Sequence, residues 1–189
     1  MRVIAGSARG RILRSPKGTK IRPTADRVKE ALFNVLAGRI KDAVVLDLFA
    51  GTGALGIEAL SRGAARAVFV DRSRDSISLI RHNLALTGLL PCAELYREDA
   101  GVALSLFQWQ GRSFDLIFLD PPYGEGIALS VLGKLAQSGV LSPGGLVAVE
   151  HSPRDSLTEQ IANLQLWRQR RYGDTVLTFY RREEETDTL

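Results

Sequence analysis

An α/β fold, one mostly parallel sheet with helices on both faces, is what this 189-residue sequence predicts. Three observations predict it. From Ala43 onward, apolar runs alternate with helix-like segments, which is the pattern of successive βα units. Asp47, Asp71, Asp99 and Asp120 stand where the first four of those runs end. Two last strand-like runs have no helix between them and close one edge of the sheet as a hairpin.

The elements follow in order. "MRVIAGSARGRILRSP" alternates weakly around Gly6 and Gly10 and reads as a small β-hairpin. "TADRVKEALFNVLAGRI" opens with Thr24 as an N-cap, and Val28, Leu32, Val35 and Leu36 recur at helical spacing. Its other face carries Arg27 and Lys29. Strands are expected at 43 to 48, 66 to 70, 93 to 97, 115 to 119 and 146 to 150, with helices at 54 to 62, 74 to 86, 100 to 108 and 126 to 138. "LQLWRQRRYG" and "DTVLTFYRR" then form the hairpin through a Gly173-Asp174 turn, which makes seven strands. The chain divides into an N-terminal extension over 1–41, a main domain over 42–182 and a polar tail over 183–189.

Composition narrows the class. With 45% apolar and 24% charged residues, the chain is long enough for one well-buried domain. No apolar run approaches a bilayer span and the N-terminus has no h-region, so a cytosolic protein without a membrane partner is expected. Cys92 is the single cysteine; it is expected to be half-buried and quiet, and with no Cys/His cluster no metal is expected. Charge is distributed unevenly. Residues 1–41 hold eleven Lys/Arg against two acids, whereas the rest holds fourteen against nineteen. A local basic excess of this kind points to a polyanion partner.

"VVLDLFAGTGALGIEAL" is strand, glycine loop and helix, with Gly51, Gly53 and Gly56 at GxGxxG spacing. That spacing alone suggests a dinucleotide site, in which glycines admit a ligand close to a helix N-terminus. Asp47 just ahead of the loop would repel a pyrophosphate and suits a cationic amino-acid group. Asp71, twenty residues after Gly51, is placed to accept ribose hydroxyls, and Asp99 to accept from an adenine amine. Four carboxylates along one rim repel one another unless a ligand uses them. "LDPPYG" ends the fourth run, and its prolines make it a stiff loop at the ligand-binding edge of the sheet.

"DLFAGTG", "VDRS", "REDA" and "LDPPY", in that order and spacing, resemble the Rossmann-like class I S-adenosylmethionine-dependent methyltransferases. The resemblance implies that the loop from Asp47 through Phe49, Gly51, Thr52 and Gly53 holds the methionine part, Asp71 with Arg72 beside it the ribose, and Asp99 with Ala100 the adenine. It also implies that Asp120, Pro121, Pro122 and Tyr123 form an amine-binding loop. Asp120 and a backbone carbonyl of the proline pair would accept both N–H groups of a nucleobase amine, freeing its lone pair for in-line attack, and Tyr123 would stack on the base.

"IAGSARGRIL", "IRPTADRVKEALFNVL" and "YGDTVLTFY" extend the likeness to nearly the whole chain, which is similar to the RsmD family, acting on N2 of one guanine, guanine 966, in 16S rRNA. The resemblance implies a partner in 16S rRNA, the small ribosomal subunit or an assembly intermediate, with no obligate protein partner. It implies phosphate contacts by Arg9, Arg11, Lys17, Lys20, Arg22 and Arg27, while Thr24 and Arg27 could instead border the cofactor. A DNA adenine or cytosine amino-methylase shares the loop chemistry, a nicotinamide-dependent oxidoreductase the glycine spacing, and a non-catalytic RNA binder the basic end. His82 reads as a surface or packing residue, Trp109 and Trp167 read as packing residues, and His151 can line the rim without an assigned role.

Overall fold

The computed structural model describes residues 1–16, 23–122 and 126–182, with the side chains of 23–25 also outside the description. After a short antiparallel N-terminal segment come α1 (Pro23–Val35), β1 (Val44–Asp47), α2 (Ala54–Ser61), β2 (Arg66–Val70), α3 (Arg74–Thr87) and β3 (Ala93–Tyr96). There follow α4 (Ala100–Trp109), β4 (Phe114–Leu119), α5 (Ile127–Ser138), β5 (Leu141–His151), β6 (Gln160–Ile161), β7 (Leu164–Tyr172) and β8 (Thr175–Arg182). The strand order is β3-β2-β1-β4-β5-β8-β7-β6. β1 to β5 pair in parallel, and β8 enters antiparallel to β5.

This is the expected doubly wound architecture with a reversed hairpin at one edge. The strand count is eight where seven were expected, because Gln160 and Ile161 pair briefly with Gln165 and Leu164; two residues are too short to leave a periodic signal. β5 also begins earlier than expected, at Leu141. "SPGG" reads as a break, yet the backbone passes through it with a register shift between Phe114 and Leu116 on the neighbouring strand. α1 starts with Pro23 at its first position, where a missing N–H costs nothing, so Thr24 lies inside the helix and is not its N-cap.

Strand side chains alternate between two cores. Val45, Leu116 and Phe118 point to the side that carries α1, α2 and α3, and Leu46, Ile117 and Leu119 to the side that carries α4 and α5. Both faces are therefore buried, as a parallel sheet requires. Val3 and Leu13 of the N-terminal segment, and Leu32 and Phe33 of α1, bury in the first core. Phe33 meets Phe118 at 5.7 Å between ring centres.

The N-terminal hairpin is held by one Arg2–Ile12 bridge and by Val3 N donating to the Arg11 carbonyl at 2.9 Å. It runs beside α2 and is fastened there by a buried acid. Glu58, fully buried, accepts from the backbone N–H of Ile4 at 2.8 Å and of Ala5 at 3.0 Å and pairs with Arg62 at 2.8 Å and Lys29 at 3.4 Å. Gly6 has φ +83°, and a Cβ there would lie 1.7 Å from the Ser61 carbonyl oxygen, so only glycine lets the strand approach so closely. Lys29, expected on the polar face, is buried instead, and its Nζ also donates to the Arg2 carbonyl at 2.6 Å. Burial lowers its pKa, with Glu58 opposing.

Candidate active site

In an open α/β sheet the crevice forms where the strand order reverses. Here that point lies between β1 and β4, and Asp47 and Asp120 stand at the carboxyl ends of those strands. Asp47 is 1% exposed, and its Oδ2 accepts from Gly56 N at 3.1 Å. Burial pushes its pKa up to about 7, against that hydrogen bond and with the charge of Asp71 adding to the rise. Gly53 is the left-handed N-cap of α2 at φ 78°. A side chain there would press on Ile57 and Ile80 at 3.2 to 3.3 Å.

The other rim carboxylates also organise backbone. Asp71 Oδ2 accepts from Gly51 N at 2.9 Å and Oδ1 from Ser73 N at 2.8 Å, which ties the end of β2 to the glycine loop. Asp99 caps α4, its Oδ1 accepting from Gly101 N at 2.8 Å and Val102 N at 3.4 Å. Each carboxylate keeps accepting capacity beyond these bonds. Asp120 is exposed and faces the crevice that it lines. Desolvation first, then the charges of Glu150 and Asp47, raise its pKa well above the ordinary carboxylate range.

Two cavities meet at this rim. The larger, about 650 Å³, is lined by Phe49, Gly51, Asp71, Arg72, Asp99, Ala100, Asp120, Pro121 and Pro122, with Glu98, Leu48, Ile127 and Val131. The smaller, about 280 Å³, holds Asp47, Thr52, Glu150, Lys29 and Met1. Phe49, Gly51 and Asp120 line both. Sequence-predicted residues from four strand ends thus converge on one crevice.

Other expectations divide. Gly53 shapes the loop and lines neither cavity. Arg9 and Arg11 are exposed on the hairpin turn, whose Ser7 N and Ala8 N bond to Ser61. Ser61 ends α2, an eight-residue helix, so the turn is about 12 Å from the glycine loop at its start. Arg27 is exposed on α1. Lys17, Lys20, Arg22 and Tyr123 lie outside the described residues, as do the tail and the Thr24 side chain.

Several expectations are corrected. His151 is buried and does not face the rim, its Nε2 meeting Thr178 Oγ1 at 2.8 Å and its Nδ1 the Ser152 carbonyl at 2.9 Å; burial lowers its pKa. Trp109 is 83% exposed at the end of α4 and packs in no core. Trp167 is partly exposed, and Cys92 is exposed. Among the described residues no group of His, Cys, Asp and Glu could hold a metal, and no helix is long and apolar enough to cross a membrane.

Glu150 and Lys29 are site residues that the sequence reading passed over. Glu150 carries the same signal that marked the four aspartates, an acid ending an apolar run. Lys29 sits three and seven residues before Leu32 and Leu36, on the apolar stripe of α1. Glu98 had no distinguishing signal beside Asp99.

Comparison with known proteins adds an independent line. Residues 1–181 match the family described as Conserved hypothetical protein 95. The chain is 37% identical over 188 residues to Ribosomal RNA small subunit methyltransferase D of Escherichia coli (strain K12), covering 100% of this chain and 93% of that protein. It is 40% identical over 182 residues to YlbH of Bacillus subtilis (strain 168), covering 96% and 99%. The solved structure of yhhF from Escherichia coli superposes with a TM-score of 0.86 at 38% identity, covering 98% of this chain and 99% of that one. Fold, motifs and full-length likeness agree, and the chain belongs to the Conserved hypothetical protein 95 family, the RsmD family, with a Rossmann-like methyltransferase fold.

Proposed function

We infer that the chain is an S-adenosylmethionine-dependent rRNA methyltransferase whose target is the exocyclic N2 amine of a guanine in 16S rRNA, guanine 966. The observation that carries this reading is Asp120, which lines both cavities at the topological switch point. The crevice suits the cofactor on three counts. Its size lies within the usual range for small-molecule sites. Asp47, whose pKa burial raises to about 7, gains from a cationic amino group, which favours its charged form. The remaining accepting capacity of Asp71 and Asp99, which both line the larger cavity, suits ribose hydroxyls and an adenine amine.

When bound, S-adenosylmethionine supplies an electrophilic sulfonium methyl. The residues then divide the work. Asp47, Phe49, Gly51 and Thr52 would hold the methionine part, Asp71 and Arg72 the ribose, and Asp99 and Ala100 the adenine. Asp120 accepts one N–H of the guanine amine and the Pro121-Pro122 backbone accepts the other, which localises the nitrogen lone pair and aims it. The raised basicity of Asp120 fits it to stabilise the nitrogen as positive charge develops and to take the proton released.

The test is methyl transfer from radiolabelled S-adenosylmethionine to naked 16S rRNA, to small subunits from a strain lacking the modification, and to plasmid DNA. Label recovered as N2-methylguanine in RNA or subunits is expected. Label confined to DNA, or absent everywhere, would overturn the reading.

A further inference from the structure

β7 carries "WRQRRY" over residues 167–172 and lies at the open side of the sheet, since β6 pairs only with Leu164 and Gln165. Every residue from Arg168 to Arg171 is exposed. Among the described residues Arg168, Arg170 and Arg171 enter no ion pair. The hairpin from Leu164 to Arg182 contains five arginines, no lysine and one acid, Asp174.

Pairing fixes where these side chains point. Arg168 is opposite Phe179 and Arg170 opposite Leu177, and both partners face the core on the α1 side. The two arginines therefore project from the same side of the sheet as α1, which carries exposed Arg27. Trp167, displaced by the irregularity between Leu166 and Arg168, stands edge-on to Phe179 at 6.2 Å and remains 39% exposed. The Arg168 guanidinium lies 5.2 Å from the centre of its ring.

The same register fixes the height of the strip. Leu177 also pairs with Glu150, and Val149 pairs with Leu119, the residue before Asp120. Arg170 is thus level with Asp120, three strand spacings away, roughly 14 Å. The hairpin turn that carries Arg9, in contrast, sits at the far end of α2.

We propose that Trp167, Arg168 and Arg170 form a second RNA-binding strip, which grips the strand flanking the target nucleotide. It rests on the rRNA reading above. Guanidinium forks match phosphate oxygens in pairs, and an indole beside them offers a face to an unstacked base. Charges on an open strand also discourage edge-to-edge pairing, but that role requires neither an exposed tryptophan nor a position level with the crevice.

The experiment uses the full chain with Arg168→Gln/Arg170→Gln and, separately, Trp167→Ala. Affinity for 16S rRNA and for unmodified small subunits is measured across a salt series, beside S-adenosylmethionine affinity and thermal stability. The double variant is expected to lower the slope of log affinity against log salt by about 1.4 for two lost single-strand phosphate contacts and to raise KM with kcat kept. Trp167→Ala should weaken binding with the slope unchanged. An unchanged slope and KM while wild type methylates RNA would overturn the strip alone, and inactive wild type would instead overturn the rRNA reading. Self-association with unchanged RNA affinity would identify the arginines as edge guards, and loss confined to subunits, with naked rRNA bound normally, would identify a protein contact; either overturns the proposal.

Discussion

Asn83 clamps Arg14 from both sides of its peptide: Arg14 N donates to Asn83 Oδ1 at 2.8 Å, and Asn83 Nδ2 donates to the Arg14 carbonyl at 3.0 Å. The second Nδ2 proton goes to the Thr52 carbonyl at 2.9 Å. One fully buried amide on α3 therefore joins the basic N-terminal segment to the glycine loop.

Asn83→Ala should loosen both at once. It leaves two carbonyls and one N–H without their partner, and each of these part-buried orphans costs about 1 kcal/mol, the low end for an unsatisfied group. A loss of roughly 3 kcal/mol, or a fall of about 6–12 °C in Tm at this chain length, is expected by thermal unfolding, together with weaker S-adenosylmethionine binding by calorimetry. A Tm within a degree of wild type would refute the clamp.

Glu58→Ala removes the acid that faces Lys29, Arg62 and two backbone donors. Stranding a buried charge costs about 3–5 kcal/mol, so the urea midpoint should fall markedly. Limited proteolysis should cut first within residues 1–16. A variant with the wild-type midpoint would show that the hairpin docks by its apolar residues alone.

Asp120→Asn keeps the shape of the loop and removes its basicity. Turnover is expected to fall about 10²- to 10⁴-fold, the usual contribution of a positioned acid or base, with cofactor affinity within a few-fold of wild type. Retained turnover would remove Asp120 from the proposed chemistry.

Asp47 makes the site sensitive to pH. Its folded pKa of about 7 exceeds that of a solvated aspartate, so the native state holds the extra proton between about pH 4 and pH 7. Without cofactor the Asp47 contribution to stability therefore declines as pH rises through that window. Cofactor affinity should rise over the upper part of the window, because the ionised form is the one that attracts an ammonium group. Asp47→Asn should raise the Tm of the free protein at pH 8 and flatten the pH dependence of S-adenosylmethionine binding. A lower Tm at pH 8 would mean that the carboxylate stabilises the empty fold.

Much of this protein is legible in the residue order. The βα alternation, the glycine loop and the acids at strand ends are local patterns, set by the two-residue period of strands, the 3.6-residue period of helices and the chemistry of turns. They located eight of nine secondary elements of the main sheet layers within one residue, missing only the early start of β5 at Leu141, and they marked Asp47, Asp71, Asp99 and Asp120 before any of them could be seen to share a crevice. Only the tertiary structure decided what those patterns face. Lys29 lies on an apolar stripe, yet its partner Glu58 is twenty-nine residues away, and no local period encodes such an ion pair. His151 was turned into the sheet by Thr178 on an antiparallel neighbour, and Arg170 was brought level with Asp120 by the register of three strand pairings. Burial, pKa and the joining of separate strand ends into one site depend on distances through space, which chain order alone does not set.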